Sequence, residues 1–186
     1  MRILITGTTG GIGGAVKRAA LAAGHAVIEV NRGDFDSFSS IGLDPIDGIV
    51  FTTGVCPVKP LMAMTDAEFE ETIRVNCGLF VKLMRRVVSG KLNNPNSMRV
   101  VAISSVSATE GWAGGAAYCA SKGALSAVCR ALDAELKSKR ISVTALEPRY
   151  VKTRMFDACA GRMGVDPALA TDPDEFAKEV LNECCR

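Results

Sequence analysis

The chain has 186 residues, 48% of them apolar, and a formal net charge of +2. That length fits a single domain over residues 1–186 with a sizeable core. The small charge and the lack of a long basic run give no footprint for nucleic acid. No apolar run reaches the roughly 18 residues of a membrane span.

Arg2–Thr6 (RILIT) reads as a buried strand that starts at once and leaves no room for a signal peptide. Gly7–Gly13 is a turn, Gly14–Ala23 an alanine-rich helix ended by Gly24 and His25, and Ala26–Val30 a second strand. Strand, glycine turn, helix and strand open a doubly wound α/β sheet of the Rossmann type. His25, the one histidine, reads as a turn residue. Asn31–Pro45 is short and polar, and Asp47–Thr52 is the next strand. Thr65–Ser89 is a long helix with Asp66, Glu68, Glu70 and Glu71 early and Lys82, Arg85 and Arg86 late, an order that suits the helix dipole. Ser97–Ser104 is a strand, Gly115–Ser138 a second long helix, Ile141–Leu146 a strand, and Asp174–Cys185 a terminal helix opened by DPDE. Strands alternating with helices favour parallel pairing. The seven cysteines include no CxxC pair and no metal-ligand pattern, so reduced thiols and a cytoplasmic location are expected. Cys184 and Cys185 read either as a redox pair or as two ordinary thiols.

Gly7, Gly11 and Gly13 form GxxxGxG directly after the first strand. Glycines there allow a tight turn and close approach of the backbone to a pyrophosphate, which the amides at the helix start would receive. The hydroxyls of Thr6, Thr8 and Thr9 would either add contacts or satisfy local backbone groups. After the second strand come Asn31 and Arg32. A carboxylate there would favour NAD, whereas a guanidinium pairs with a 2′-phosphate, so NADP(H) is preferred and NAD(H) is the alternative. Glu29 lies close enough that a shift of register would reverse this reading.

Tyr118 and Lys122 lie four residues apart in AYCASKGAL, on one face of the second long helix. A phenol with a reference pKa of about 10 is a poor acid or base at neutral pH. A nearby ammonium stabilises the phenolate and is expected to bring that pKa down. Ser105 ends the VAISS strand, where it would hydrogen-bond a substrate carbonyl while Tyr118 exchanges a proton with it. Lys122 would also hold the nicotinamide ribose. Asn76, inside the first long helix, is a poor helix former flanked by apolar residues. A buried amide holding a water that links Lys122 to solvent would explain it.

With these residues in place, the sequence closely resembles the short-chain dehydrogenase/reductase family from TGTTGGIG through PRYVKTRM. The resemblance implies that Gly7, Thr9, Gly11, Ile12 and Gly13 bind cofactor and that Asn76, Ser105, Tyr118 and Lys122 form a catalytic tetrad. It places Pro148, Val151 and Thr153 in the family's PGxVxT segment, with Thr153 near the nicotinamide amide, and the pair Asp34 and Phe35 beside adenine. The family's NNAG stands here as Thr52, Thr53, Gly54 and Val55, still a cofactor wall but an altered one. Arg149 replaces the glycine of PG. The family's second helix and third strand are absent or fused, which implies about five parallel strands ordered 2-1-4-5-6 in the family's scheme. The chain also stops short of the family's last strand, so the two long helices become the expected seam of a homodimer. Small residues Gly115, Ala116, Ala120, Ala124 and Ala127 would allow close packing there.

The substrate segment runs from Phe156 to about Thr171, with Trp112 as a flat wall, and suits a small carbonyl or alcohol. Arg149, Lys152, Arg154 and Arg162 either attract an acidic substrate or are solvated loop charge. The leading reading is an oxidoreductase that moves a hydride between NADP(H) and that substrate. A non-catalytic NAD(P)-binding regulatory protein is a second reading, and an epimerase or dehydratase on the same fold a third.

Overall fold

The structure, a computed structural model, describes residues 1–35, 46–91 and 97–186, with the side chains of Arg32, Phe35 and Lys91 outside that description. Among the described residues, five parallel strands form one sheet: β1 (Arg2–Thr6), β2 (Ala26–Val30), β3 (Gly48–Phe51), β4 (Met98–Ile103) and β5 (Ile141–Leu146), in the order β2-β1-β3-β4-β5. This is the expected Rossmann-like sheet. The stretch on which the missing helix and strand were expected falls largely on residues 36–45, outside the described residues.

Both faces of the sheet are covered, and the strands alternate accordingly. Ile3, Ile5, Val50, Val101 and Ile103 point to one side, where they pack with α1 (Gly11–Ala22) and α6 (Pro173–Cys185). Leu4, Ile49, Phe51, Val100 and Ala102 point to the other. There they meet α3 (Leu79–Lys91) and α4 (Ala116–Leu136), with Phe51 and Phe80 at 5.2 Å between ring centroids. Cys184 belongs to the first layer, because Gly48 has no side chain: a Cβ there would lie 2.5 Å from the Cys184 sulfur. Cys185 is exposed and 3.6 Å from His25 Nε2, so the two adjacent cysteines occupy different environments.

Three elements differ from the sequence reading. The first helix begins at Gly11, so the end of the glycine turn is already helical. The long helix expected over residues 65–89 is α2 (Asp66–Ile73), a π-helical turn (Arg74–Gly78) and α3. Thr65 starts it with a reciprocal capping box to Glu68. The substrate segment holds α5 (Arg154–Met163), capped by the Thr153 side chain and ended by Gly164 at φ 65°. Among the described residues no helix is long and apolar enough to cross a membrane.

Candidate active site

A cavity of about 580 Å³ opens at the C-terminal ends of the strands. Its floor is the β1–α1 turn. Gly7 takes φ 67°, a left-handed conformation that favours glycine, and its amide donates to Val30 O at 2.9 Å. A Cβ on Gly13 would lie 2.3 Å from Gly7 O and 2.6 Å from Thr52 Oγ1, and one on Gly11 would lie 2.5 Å from Thr153 Cγ2. The turn is therefore a cradle that side chains would fill. Helix α1 has no side-chain cap and no acidic residue in its first turn. The residues of its first turn, Gly11, Ile12 and Gly13, line the cavity beside Thr9, and the amides of a helix start are suited to an anion.

Thr6 ties this floor to the wall beside it. Its hydroxyl accepts from the amides of Thr52 (3.0 Å) and Thr53 (3.2 Å) and bonds the Thr53 hydroxyl at 2.9 Å. Thr52 Oγ1 donates to Thr6 O at 2.6 Å, so the altered wall keeps the expected hydroxyl–backbone link. Both threonines and Gly54 line the cavity.

At the end of β2 the Glu29 carboxylate is already occupied. Lys17 Nζ stands 2.5 Å from one oxygen and the Thr8 hydroxyl donates to the other at 2.5 Å. Lys17 first, then Thr8, hold that carboxyl below its usual range. Asn31 reaches the cavity wall. The Asp34 carboxylate accepts from the Asn31 amide at 2.6 Å and so shapes the turn. The side chains of Arg32 and Phe35, on which the cofactor preference and the adenine contact were read, lie outside the described residues.

Ser105, Tyr118 and Lys122 converge on the same cavity. Ser105 ends β4 in extended backbone and its hydroxyl accepts from Ser107 N at 3.1 Å. Burial pushes the Tyr118 phenol above its ordinary value, neighbouring cysteines push the same way, and a hydrogen bond with Ser105 pulls it back. The expected lowering by the ammonium is thus overturned. Lys122 Nζ lies under the ring, 5.6 Å from its centroid, and donates to Ile103 O at 2.7 Å. Burial also brings the Lys122 amine down to about 8.

Asn76 sits in the π-turn, fully buried. Its amide donates to Val55 O (2.9 Å) and Ser121 Oγ (2.8 Å) and accepts from Val55 N (2.7 Å). Both donors are spent, so the side chain clamps the loop after β3 onto α4.

The far end of the cavity is apolar. Trp112, Met155, Phe156 and Met163 line it, together with Cys56 and Cys159. Gly115 serves this wall: a Cβ there would lie 2.4 Å from the Trp112 ring, so its small size is used inside the chain. Ala116, Ala120 and Ala127 are exposed. Pro148, Val151 and Thr153 reach the cavity as the motif implied, and Arg149 beside them pairs with Glu110 at 2.7 Å. Lys152 pairs with Asp157, and Arg162 donates to Val58 O, leaving Arg154 as the cation of those four for which no protein partner is described. The cavity cysteines carried no sequence signal. Helix α5 did carry one, in Thr153 at its start and Gly164 at its end.

Residues 37–162 match the family model described as short chain dehydrogenase. L-xylulose reductase from Bos taurus is 26% identical over 181 residues, covering 84% of this chain and 74% of its own length. The 3-oxoacyl-acyl-carrier-protein reductase of Rickettsia felis is 27% identical over 180 residues, covering 83% of this chain and 74% of its own. Among solved structures, 4-hydroxyisoleucine dehydrogenase complexed with NADH superposes with a TM-score of 0.85 at 20% identity, over 97% of this chain and 89% of the other. An actinorhodin polyketide ketoreductase variant with NADPH gives 0.85 at 20% identity, over 98% and 89%.

Proposed function

The chain belongs to the short chain dehydrogenase family of NAD(P)-dependent oxidoreductases, and from that premise we propose that it is an NADP(H)-preferring reductase of a small, mainly apolar carbonyl compound. The observation that carries this is the meeting of Ser105, Tyr118 and Lys122 in one cavity with the open glycine cradle. The cradle fits a dinucleotide: Gly11 and Gly13 leave space that any side chain would take, and uncapped helix amides face it. Thr9, Ile12 and the amides of α1 would hold the diphosphate, and Thr52, Thr53 and Gly54 the adjoining wall. Lys122 would hold a ribose hydroxyl, and Thr153 the carboxamide. The bound nicotinamide supplies the hydride.

The chain's own part is acid catalysis and orientation. Ser105 donates to the carbonyl oxygen and fixes its direction. Tyr118 gives that oxygen its proton. A phenol raised by burial keeps its proton at neutral pH, the form that the reduction direction needs. Trp112, Phe156 and the two methionines receive the rest of the substrate. Pairing with Lys17 offsets the Glu29 charge that would repel a 2′-phosphate and keeps that carboxylate from a ribose hydroxyl, which supports NADP(H) over NAD(H). The same reading takes the chain as one functional domain, active as a homodimer through the α3–α4 face in the cytoplasm.

Titration with NADPH and NADH, followed by absorbance loss at ~340 nm against a carbonyl panel, tests it beside Tyr118→Phe. Turnover that requires Tyr118 and favours NADPH is expected. Cofactor binding without such turnover would leave a regulatory binding protein, and NADH preferred over NADPH would overturn the cofactor assignment.

A further inference from the structure

Two thiols meet in the wall of the cavity. Cys56 stands in the loop after β3 and Cys159 on α5, 103 residues further along the chain. The Cys159 thiol donates to Cys56 O at 3.7 Å, and the two thiols are close enough to influence each other electrostatically. Both line the cavity. Arg162 fastens the same two segments by donating to Val58 O at 2.9 Å. Nothing in the reaction proposed above uses a sulfur at this place. Other cysteines have other surroundings: Cys77 and Cys129 lie in the core beneath the α3–α4 layer, and Cys184 lies against Gly48. Cys119, next to Tyr118, directs its thiol towards Glu110 O at 3.6 Å.

We propose that Cys56 and Cys159 are an oxidisable dithiol whose disulfide welds α5 to the β3 loop and locks the substrate end of the cavity. This rests on the reductase reading for its effect on turnover, and on the placing of the two cysteines side by side in the cavity wall for its chemistry. The oxidant is a small disulfide such as oxidised glutathione. One cysteine thiolate attacks a glutathione sulfur, the glutathione S–S bond breaks, and one glutathione thiolate leaves. The second cysteine attacks the mixed disulfide, forms the Cys56–Cys159 bond and expels the other glutathione. Two electrons pass to glutathione, and the two cysteine protons end on the two released thiols. With the Cys159 sulfur already seated against the Cys56 backbone, turning the two side chains towards each other is the movement needed to reach the bonded separation of about 2.05 Å. Burial raises the Cys56 thiol, the Lys122 ammonium opposing it, so exchange starts from a minor thiolate population and is slow. The consequence for substrate follows from α5, which carries Met155, Phe156 and Met163 into the cavity. A covalent tie holds that helix against the loop and removes the outward movement of α5 that admits the carbonyl compound, while the glycine cradle is untouched.

The full chain with NADPH bound is equilibrated in glutathione redox buffers. Peptide mass spectrometry, NADPH fluorescence titration and carbonyl turnover are then read together. A Cys56–Cys159 linked peptide pair, loss of turnover regained with dithiothreitol, and unchanged NADPH affinity are expected. Cys56→Ser and Cys159→Ser should keep their own untreated rates under the same buffers, whereas Cys119→Ser should be inactivated like the parent. Mixed glutathione disulfides without the linked pair would overturn the proposal, as would full linkage with undiminished turnover or equal inactivation of Cys159→Ser. A protein that reduces no carbonyl in the panel sinks the reductase reading, while the linked peptide still decides the dithiol.

Discussion

The two ends of the cavity are built from different materials. At the nucleotide end, shape comes from backbone: the left-handed Gly7, the absent side chains of Gly11 and Gly13, and the Thr6 hydroxyl tying β1 to the loop after β3. At the substrate end, shape comes from large side chains on α5, Trp112 and a surface ion pair. Backbone architecture tolerates almost no substitution at Gly11 and Gly13, because a Cβ there would lie 2.5 Å from Thr153 Cγ2 and 2.3 Å from Gly7 O. Side-chain architecture can be re-cut one residue at a time. The difference fits an enzyme whose cofactor is shared with its relatives while its carbonyl compound is its own.

Tyr118→Phe gives the largest expected effect and bears on the boundary between the ends. It should lower kcat by about 10²–10⁴-fold with NADPH affinity unchanged, since only the proton donor is lost. A loss of cofactor binding in that variant would erase the boundary. Gly13→Ala tests the backbone end: its Cβ would meet Gly7 O, so NADPH binding should weaken and stability fall by about 1–3 kcal/mol in denaturant titration. Wild-type behaviour would show that the cradle can relax.

Lys122→Met probes the seam through pH. The Lys122 amine falls from 10.5 unfolded to about 8 folded. Between those values the unfolded chain binds more protons, so the native protein gains stability as pH rises through that window and bears the full burden of a buried charge below it. Without cofactor, Lys122→Met should therefore be the more stable protein at pH 7, by on the order of 1–3 kcal/mol less the lost bond to Ile103 O, with the advantage fading towards pH 10. Thermal unfolding at several pH values reads this, and a pH-independent difference would contradict it. Arg149→Gln gives the smallest effect. Its partner Glu110 is also exposed, so stability should change by less than about 1 kcal/mol, with any consequence confined to KM for the carbonyl.

The nucleotide end was legible in sequence because its signal is local. Gly7, Gly11 and Gly13 belong to one turn, and Tyr118 and Lys122 to one helix face. The substrate end was less so. The Cys56–Cys159 contact spans 103 residues with no spacing rule to announce it. Occupation of Glu29 depends on where Lys17 falls across the β1–α1–β2 unit. The phenol reading failed for a related reason: four-residue spacing sets Lys122 beside Tyr118, yet only the packed interior shows the amine turned to Ile103 O and burial outweighing its charge. Five strands could be counted from apolar runs, because each is short, buried and bounded by turn residues.

The π-turn at Arg74–Gly78 amounts to one surplus residue wound into an otherwise regular helix. Excising a single position there would make the helix smoother and rotate the side chains on one side of the cut by about 100° relative to the other. Asn76 could then no longer face Val55 while Leu79, Phe80 and Leu83 still faced the sheet. A local flaw in helical regularity is what allows one continuous rod to serve both the apolar interior and the loop beside the reacting groups.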